Sequence, residues 1–206
     1  MILNHLLPYF SDLMLIIVSG FAGSGKSTLA EAVGKQFGLQ VVHASHLLQQ
    51  LREKEAEDLD LMHTKAGSGW WESKEAADYM KAREKDSSMD KALDKELLAI
   101  AEKGDVVLDS WTMPWLCDKG IKVWLSAKAE TRAKRVAERD KLKYEDVLKK
   151  IKDRDKKTAG IYKKIYGFEM GKDFKPFDIV VITDGISQDY VRKTVIKKIS
   201  GLEGYK

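Results

Sequence analysis

One cysteine and three prolines occur among the 206 residues, and neither charge sign dominates, with 36 lysines and arginines facing 32 aspartates and glutamates. A lone Cys117 cannot close an intramolecular disulfide, which excludes a disulfide-stapled secreted scaffold. No stretch reaches the roughly 18 uninterrupted apolar residues of a membrane-spanning helix. Residues 1–13 lack the basic start and small-residue cleavage site of a secretory signal, and they include Asn4, His5, Pro8 and Asp12. A soluble, cytoplasmic protein without a membrane partner is expected. The formal charge of +4 is a dense mixture. Lysine clusters such as Lys149-Lys150 and Lys156-Lys157 are interleaved with acids, which argues for solvated helix faces and against a nucleic-acid-binding stripe. The abundance of lysine and glutamate is compatible with a heat-adapted source. The length fits one domain, residues 1–206, expected as a monomer.

What is present is a phosphate cradle. Gly20-Phe-Ala-Gly-Ser-Gly25-Lys26-Ser27 matches G-x-x-x-x-G-K-[ST] and directly follows an apolar run ending at Val18. Glycines let successive N–H groups turn inward, and the helix that starts near Lys26 adds its positive dipole end. Gly20, Ala22, Gly23, Ser24, Gly25, Lys26, Ser27 and Thr28 are therefore the candidate nucleotide-binding residues. Lys26 is placed to reach the β and γ phosphates, and Ser27 offers a hydroxyl to Mg²⁺, with Thr28 a lesser candidate. No guanine-reading N/T-K-x-D sequence and no L-S-G-G-Q signature occurs.

Short apolar runs at 13–19, 39–43, 105–109, 121–125 and 178–183 alternate with amphipathic stretches at 26–37, 45–57, 71–85, 89–103, 129–139, 144–166 and 187–199. This alternation predicts an α/β fold with a five-stranded, doubly wound parallel sheet. The segment 1–13 reads as an N-terminal extension, and translation from Met14 would leave the pattern intact. About sixty residues separate the second and third strands, far more than a crossover needs. The segment 44–103 is therefore expected to be a functional insertion.

Asp109 ends the third strand, where an acid on the metal side of a phosphate site belongs. Asp184, ending the last strand, competes for that role but is better read as a turn or cap. Arg132, Arg135 and Arg139 share one helix face, and Arg154 lies on the next helical segment. These arginines are expected on a helical lid, 128–160, that steadies a transferring phosphoryl group and excludes water. Four tryptophans, Trp70, Trp71, Trp111 and Trp115, could form a stacking surface for a base, while Trp124 reads as core.

The order of phosphate loop, long insertion and acid-ended strand, followed by Thr131-Arg132-Ala-Lys-Arg135-Val-Ala-Glu-Arg139, Arg154 and Tyr162-Lys-Lys-Ile-Tyr166-Gly167, resembles archaeal-type cytidylate kinases. The resemblance runs from Met14 to about residue 190 and implies a P-loop kinase with an acceptor-binding insertion at 44–103. It further implies Mg²⁺-dependent phosphoryl transfer from ATP to a nucleoside monophosphate, CMP or dCMP. The acceptor side departs from the family. Where the family has an arginine after the second strand this chain has Gln49, and where it has Glu-Gly-Arg the chain has Asp109-Ser110-Trp111. Arg52 or Arg83 could substitute, and Lys91 and Lys95, beside Asp90 and Asp94, could bind phosphate without a bidentate fork. Two other readings stay open: a P-loop kinase for another small-molecule acceptor, and a regulatory or RNA-associated P-loop ATPase.

Overall fold

Leu15 to Ser19 are all buried, a continuous apolar run that only a strand covered on both faces can accommodate. In the computed structural model, which describes residues 13–53 and 81–203, this strand is the centre of a five-stranded sheet. The elements follow in order as β1 (Leu15–Ser19), α1 (Lys26–Phe37), β2 (Gln40–His43), α2 (Ala44–Glu53), α3 (Ser88–Lys103), β3 (Val106–Asp109), α4 (Met113–Leu116), β4 (Ile121–Ser126), α5 (Ala129–Asp140), α6 (Tyr144–Tyr166), β5 (Ile179–Ile182) and α7 (Gln188–Glu203). A further helical stretch at 81–85 precedes α3. The strand order is β2-β3-β1-β4-β5, and every pairing is parallel. The order reverses direction beside β1, so a crevice opens at the carboxyl ends of β1 and β3.

Alternation along the strands assigns the two covering layers. Ile16 and Val18 join Val107, Val123, Leu29 and Val33 of α1, and Val195 and Ile199 of α7. Leu15 and Ile17 face the other way, with Val106, Leu108, Leu47 of α2, Leu97 of α3 and Met113 of α4. A third cluster, containing Trp111, Trp124, Tyr162, Phe168 and Met170, ties the carboxyl half of α6 to the sheet. A fourth, with Ala133, Val136, Val147 and Ile151, zips α5 to α6.

The five expected strands are all present, each within two residues of its expected ends, and the sheet is parallel as predicted. The stretch 144–166 forms one continuous 23-residue helix, and the four-residue α4, with Pro114 in its first turn, was not anticipated. The expected extension at 1–12, the helix portions at 54–57 and 71–80, and Trp70 and Trp71 lie outside the described residues. Among the described residues no helix is long and apolar enough to cross a membrane.

Candidate active site

The loop between β1 and α1 turns on glycine. Gly23 and Gly25 have φ of 78° and 96°, values that L side chains rarely adopt, and a Cβ on Gly23 would lie 3.0 Å from the Arg132 carbonyl oxygen. Ser24 N–H donates to the Phe21 carbonyl at 3.1 Å, closing the turn, and Lys26 opens α1. The backbone therefore presents the helix start, Lys26, Ser27 and Thr28 to one cavity, which Asp109, Ser45, Arg83, Asp90, Trp111, Thr112, Arg139 and Tyr162 also line. The loop, the acidic end of β3, residues on either side of the undescribed segment 54–80, and α5 converge there.

Asp109 reaches the crevice because β3 is hydrogen-bonded between β1 and β2, with Asp109 level with Val18 on one side and His43 on the other. His43 Nδ1 lies 2.8 Å from Asp109 Oδ2, and its Nε2 lies 2.8 Å from Glu31 Oε1. Burial pulls the His43 pKa down, but hydrogen bonds and charge from Asp109 and Glu31 outweigh it and hold the value above the ordinary one. In the protonated ring both nitrogens donate, one to each carboxylate. Burial opposes the charged form of Asp109, yet the Lys26 ammonium and His43 bring its pKa below the usual carboxylate value. The Asp109 carboxylate is thereby held ionised, with Oδ2 bound to His43 and Oδ1 buried without a hydrogen-bond partner.

That orphaned oxygen and the Ser27 hydroxyl lie on the same cavity wall. No group of three or more His, Cys, Asp or Glu side chains among the described residues could cage a metal. This sparse oxygen set fits Mg²⁺, which keeps several waters and takes its remaining ligands from one or two protein groups plus phosphates. Asp184 is elsewhere. It accepts hydrogen bonds from Lys128 N–H and the Thr131 hydroxyl, tying down the start of α5.

The four arginines of α5 and α6 occupy different positions. Arg132 is 3% exposed. It donates to Ala22 O at 3.1 Å and Ala127 O at 3.0 Å, pairs with Asp155 of α6, and lies over Phe21. Arg135 donates to Thr183 O at 2.6 Å, Thr183 Oγ1 at 3.0 Å and Ser24 O at 3.4 Å. It lines a second cavity, with Thr28, Ile186, Gln188 and Arg192, on the other side of the loop. Arg139 alone of the four reaches the first cavity, where it forms a two-point pair with Asp140. Arg154 is half-buried beside Asp155 and lines neither cavity. Burial raises the Asp155 pKa despite the opposing charge of Arg132.

On the wall formed by α3, Asp90 and Asp94 turn inward and Lys91 and Lys95 to solvent, so neither lysine lines the cavity. Burial pushes the Asp94 carboxyl up to about 6, although Thr112 Oγ1 and Tyr166 Oη donate to it, the latter at 2.6 Å. Trp111 lies with its ring centroid 5.9 Å from the Lys26 ammonium. Trp115 instead stacks on Phe168 at 4.2 Å, and Trp124 is 2% exposed in β4, core as expected.

His43, Glu31 and Thr112 escaped the sequence reading, and Tyr162 and Tyr166 entered it only through the family resemblance. His43 had one visible signal: it ends an apolar run, just as Asp109 does, and the ends of adjacent parallel strands meet at the crevice.

Fold and loop together define the class, a P-loop kinase. Among solved structures, the fold is shared with a shikimate kinase from Bacteroides thetaiotaomicron (TM-score 0.58, 13% identity, covering 93% of this chain and 99% of that one). It is also shared with TT1252 from Thermus thermophilus (TM-score 0.57, 20% identity, 94% and 98% covered). The chain belongs to the cytidylate kinase-like family, whose model matches residues 15–185. It is 30% identical over 185 residues to a cytidylate kinase of Sulfurisphaera tokodaii, covering 88% of this chain and 93% of the relative. Identity to a cytidylate kinase of Ignicoccus hospitalis is 31%, over 88% of this chain and 96% of that protein.

Proposed function

We propose that this protein transfers the γ-phosphoryl group of ATP to a nucleoside monophosphate, CMP or dCMP, as a cytoplasmic, Mg²⁺-dependent enzyme. The observation that carries the reading is the single cavity in which Lys26, Ser27, Asp109 and Arg139 meet the acceptor-side residues Ser45, Arg83, Asp90 and Trp111. Family membership supports it, and the buried free Cys117 suits a reducing compartment.

The loop amides and Lys26 hold the donor's phosphates, and the second cavity beside Arg135 and Thr183 suits the donor nucleoside. Ser27 and Asp109 are the residues that would hold Mg²⁺, which when bound would supply neutralisation of charge on the phosphate oxygens. Asp109 keeps its charge toward that position because His43 fixes its other oxygen. Arg132 braces the loop from behind through the Ala22 carbonyl, so the amides stay aimed. Arg139 is the lid cation nearest the transferring group and would exchange Asp140 for phosphate oxygens when the nucleotide binds. An acceptor phosphate is already nucleophilic at neutral pH, so positioning and charge stabilisation suffice without a covalent intermediate.

The test is acceptor-dependent ADP release across a panel of nucleoside monophosphates, with small hydroxyl metabolites and RNA in parallel. Phosphorylated CMP or dCMP is the expected product. Release driven only by a hydroxyl metabolite, or RNA-stimulated hydrolysis without a phosphorylated product, would replace the reading.

A further inference from the structure

We infer that Glu31, acting through His43, is a positioning residue for the metal side of the site. The chain Glu31–His43–Asp109 pins α1 to the end of β3 and so sets the spacing between the Ser27 hydroxyl and the Asp109 carboxylate. The inference deepens the phosphotransfer reading above and rests on its assignment of the metal side.

Ser27 and Glu31 stand at i and i+4 in α1, which places them one above the other on a single helix face. Asp109 and His43 end adjacent parallel strands at the same level, β3 and β2. The His43 ring spans the gap between helix and strand end. Its Nε2 lies 2.8 Å from Glu31 Oε1, and its Nδ1 lies 2.8 Å from Asp109 Oδ2. Burial opposes the charged form of Asp109, and the Ser27 hydroxyl is one of the neighbours, after Lys26 and His43, that outweigh it. The helix face that carries Ser27 is therefore tied to the carboxylate that Ser27 adjoins. Glu31 and His43 line neither cavity, so they reach a bound nucleotide only through Asp109.

Stability is a weak reason for this chain of contacts. Val41 and Val42 lead into His43, and an apolar residue would end the strand without burying a polar ring that is 1% exposed. The Glu31 side chain is 50% exposed, where an ion pair contributes little to folding. What the arrangement supplies is orientation. Asp109 Oδ2 is held from behind, which leaves Oδ1 as the oxygen available on the wall it shares with Ser27. Mg²⁺ tolerates little departure from octahedral geometry, so the spacing of two protein oxygens matters more than their number. Outer partners that hydrogen-bond a ligating carboxylate commonly tune metal affinity, and His43 with Glu31 stands in that relation to Asp109.

The experiment measures ATP affinity by calorimetry with and without Mg²⁺ in the full chain and in Glu31→Leu, Glu31→Gln, His43→Leu and the Glu31→Leu/His43→Leu double variant. The ratio of the two affinities isolates the metal side, and the metal-free value reports an intact loop. Relative to wild type, His43→Leu should lower that ratio roughly 10- to 100-fold, with metal-free affinity preserved. Glu31→Leu should lower it at least about threefold. Glu31→Gln removes the charge but keeps an acceptor oxygen for Nε2, so it should retain most of the wild-type ratio. In the His43→Leu background Glu31→Leu should add nothing, because its route to the site is gone. If His43→Leu loses metal-free binding through misfolding, the two Glu31 variants carry the comparison. A wild-type ratio in Glu31→Leu overturns the proposal, and so does a Glu31→Gln ratio as low as that of Glu31→Leu, which would show that charge alone acts. The expected ratios in a chain that phosphorylates no nucleoside monophosphate would overturn the phosphotransfer reading and leave the positioning role of Glu31 standing.

Discussion

Replacing Arg132 by leucine separates two roles that the sequence alone could not distinguish. As a phosphate-contacting lid residue, Arg132 would affect turnover and leave stability untouched. Its actual position, 3% exposed with hydrogen bonds to Ala22 O and Ala127 O and a pair to Asp155, makes it a brace between the phosphate loop and the α5–α6 hairpin. Its loss strands the Asp155 side chain, 18% exposed, without its cation, and removes the donor to the Ala22 carbonyl. Breaking one side of a buried pair costs about 3–5 kcal/mol, and the lower end applies because Asp155 retains some solvent and can take up a proton. At about 2–4 °C per kcal/mol for a chain of this size, the melting midpoint should drop by roughly 6–12 °C. The deficit should grow as pH rises, since the stranded carboxyl must then ionise without a partner. Arg132→Leu/Asp155→Leu should recover part of the loss, giving a favourable coupling in a double-mutant cycle. Thermal denaturation by circular dichroism at pH 5 and pH 8 reads all of this. A midpoint within about 2 °C of wild type, together with abolished turnover, would refute the brace and return Arg132 to the phosphates.

Lys26→Ala should lower kcat roughly 100- to 1000-fold while the melting curve stays close to wild type, and unaltered turnover would remove Lys26 from the chemistry. Gly23→Ala must hold φ near 78° with its Cβ 3.0 Å from the Arg132 carbonyl oxygen, so a loss of about 1–3 kcal/mol and weaker ATP binding are expected by denaturant titration and calorimetry. The Asp94 carboxyl, raised to about 6, binds protons more tightly in the folded chain than in the unfolded one. Its contribution therefore opposes folding increasingly as pH rises from the unfolded value near 3.8 through about 6, and Asp94→Asn should flatten the stability profile in that window. An identical profile in the variant would show that Asp94 titrates normally.

The phosphate loop was legible because it is local: glycines, Lys26 and Ser27 are consecutive, and the apolar run before them needs only its neighbours to become a strand. Five runs with helical patterns between them likewise specify a parallel sheet, since each side chain's period is written within its own segment. The strand order β2-β3-β1-β4-β5 is not local. It alone puts His43 beside Asp109 and gives Glu31, twelve residues before His43, a place in the same network.

The sequence by itself determined that this protein cradles polyphosphate, carries an acid at the end of the third strand and spaces four arginines over two helices. Only the tertiary structure decided what those arginines face. A helix face is set by packing: the aliphatic stripe Ala133, Val136 and Ala137 seats α5 against α6, and that seating turns Arg132 toward loop carbonyls and Arg139 into the cavity. The same reasoning moves Lys91 and Lys95 to solvent and turns Asp90 inward to meet Arg83, seven residues before it, because burial of Leu93 and Leu97 fixes the rotation of α3.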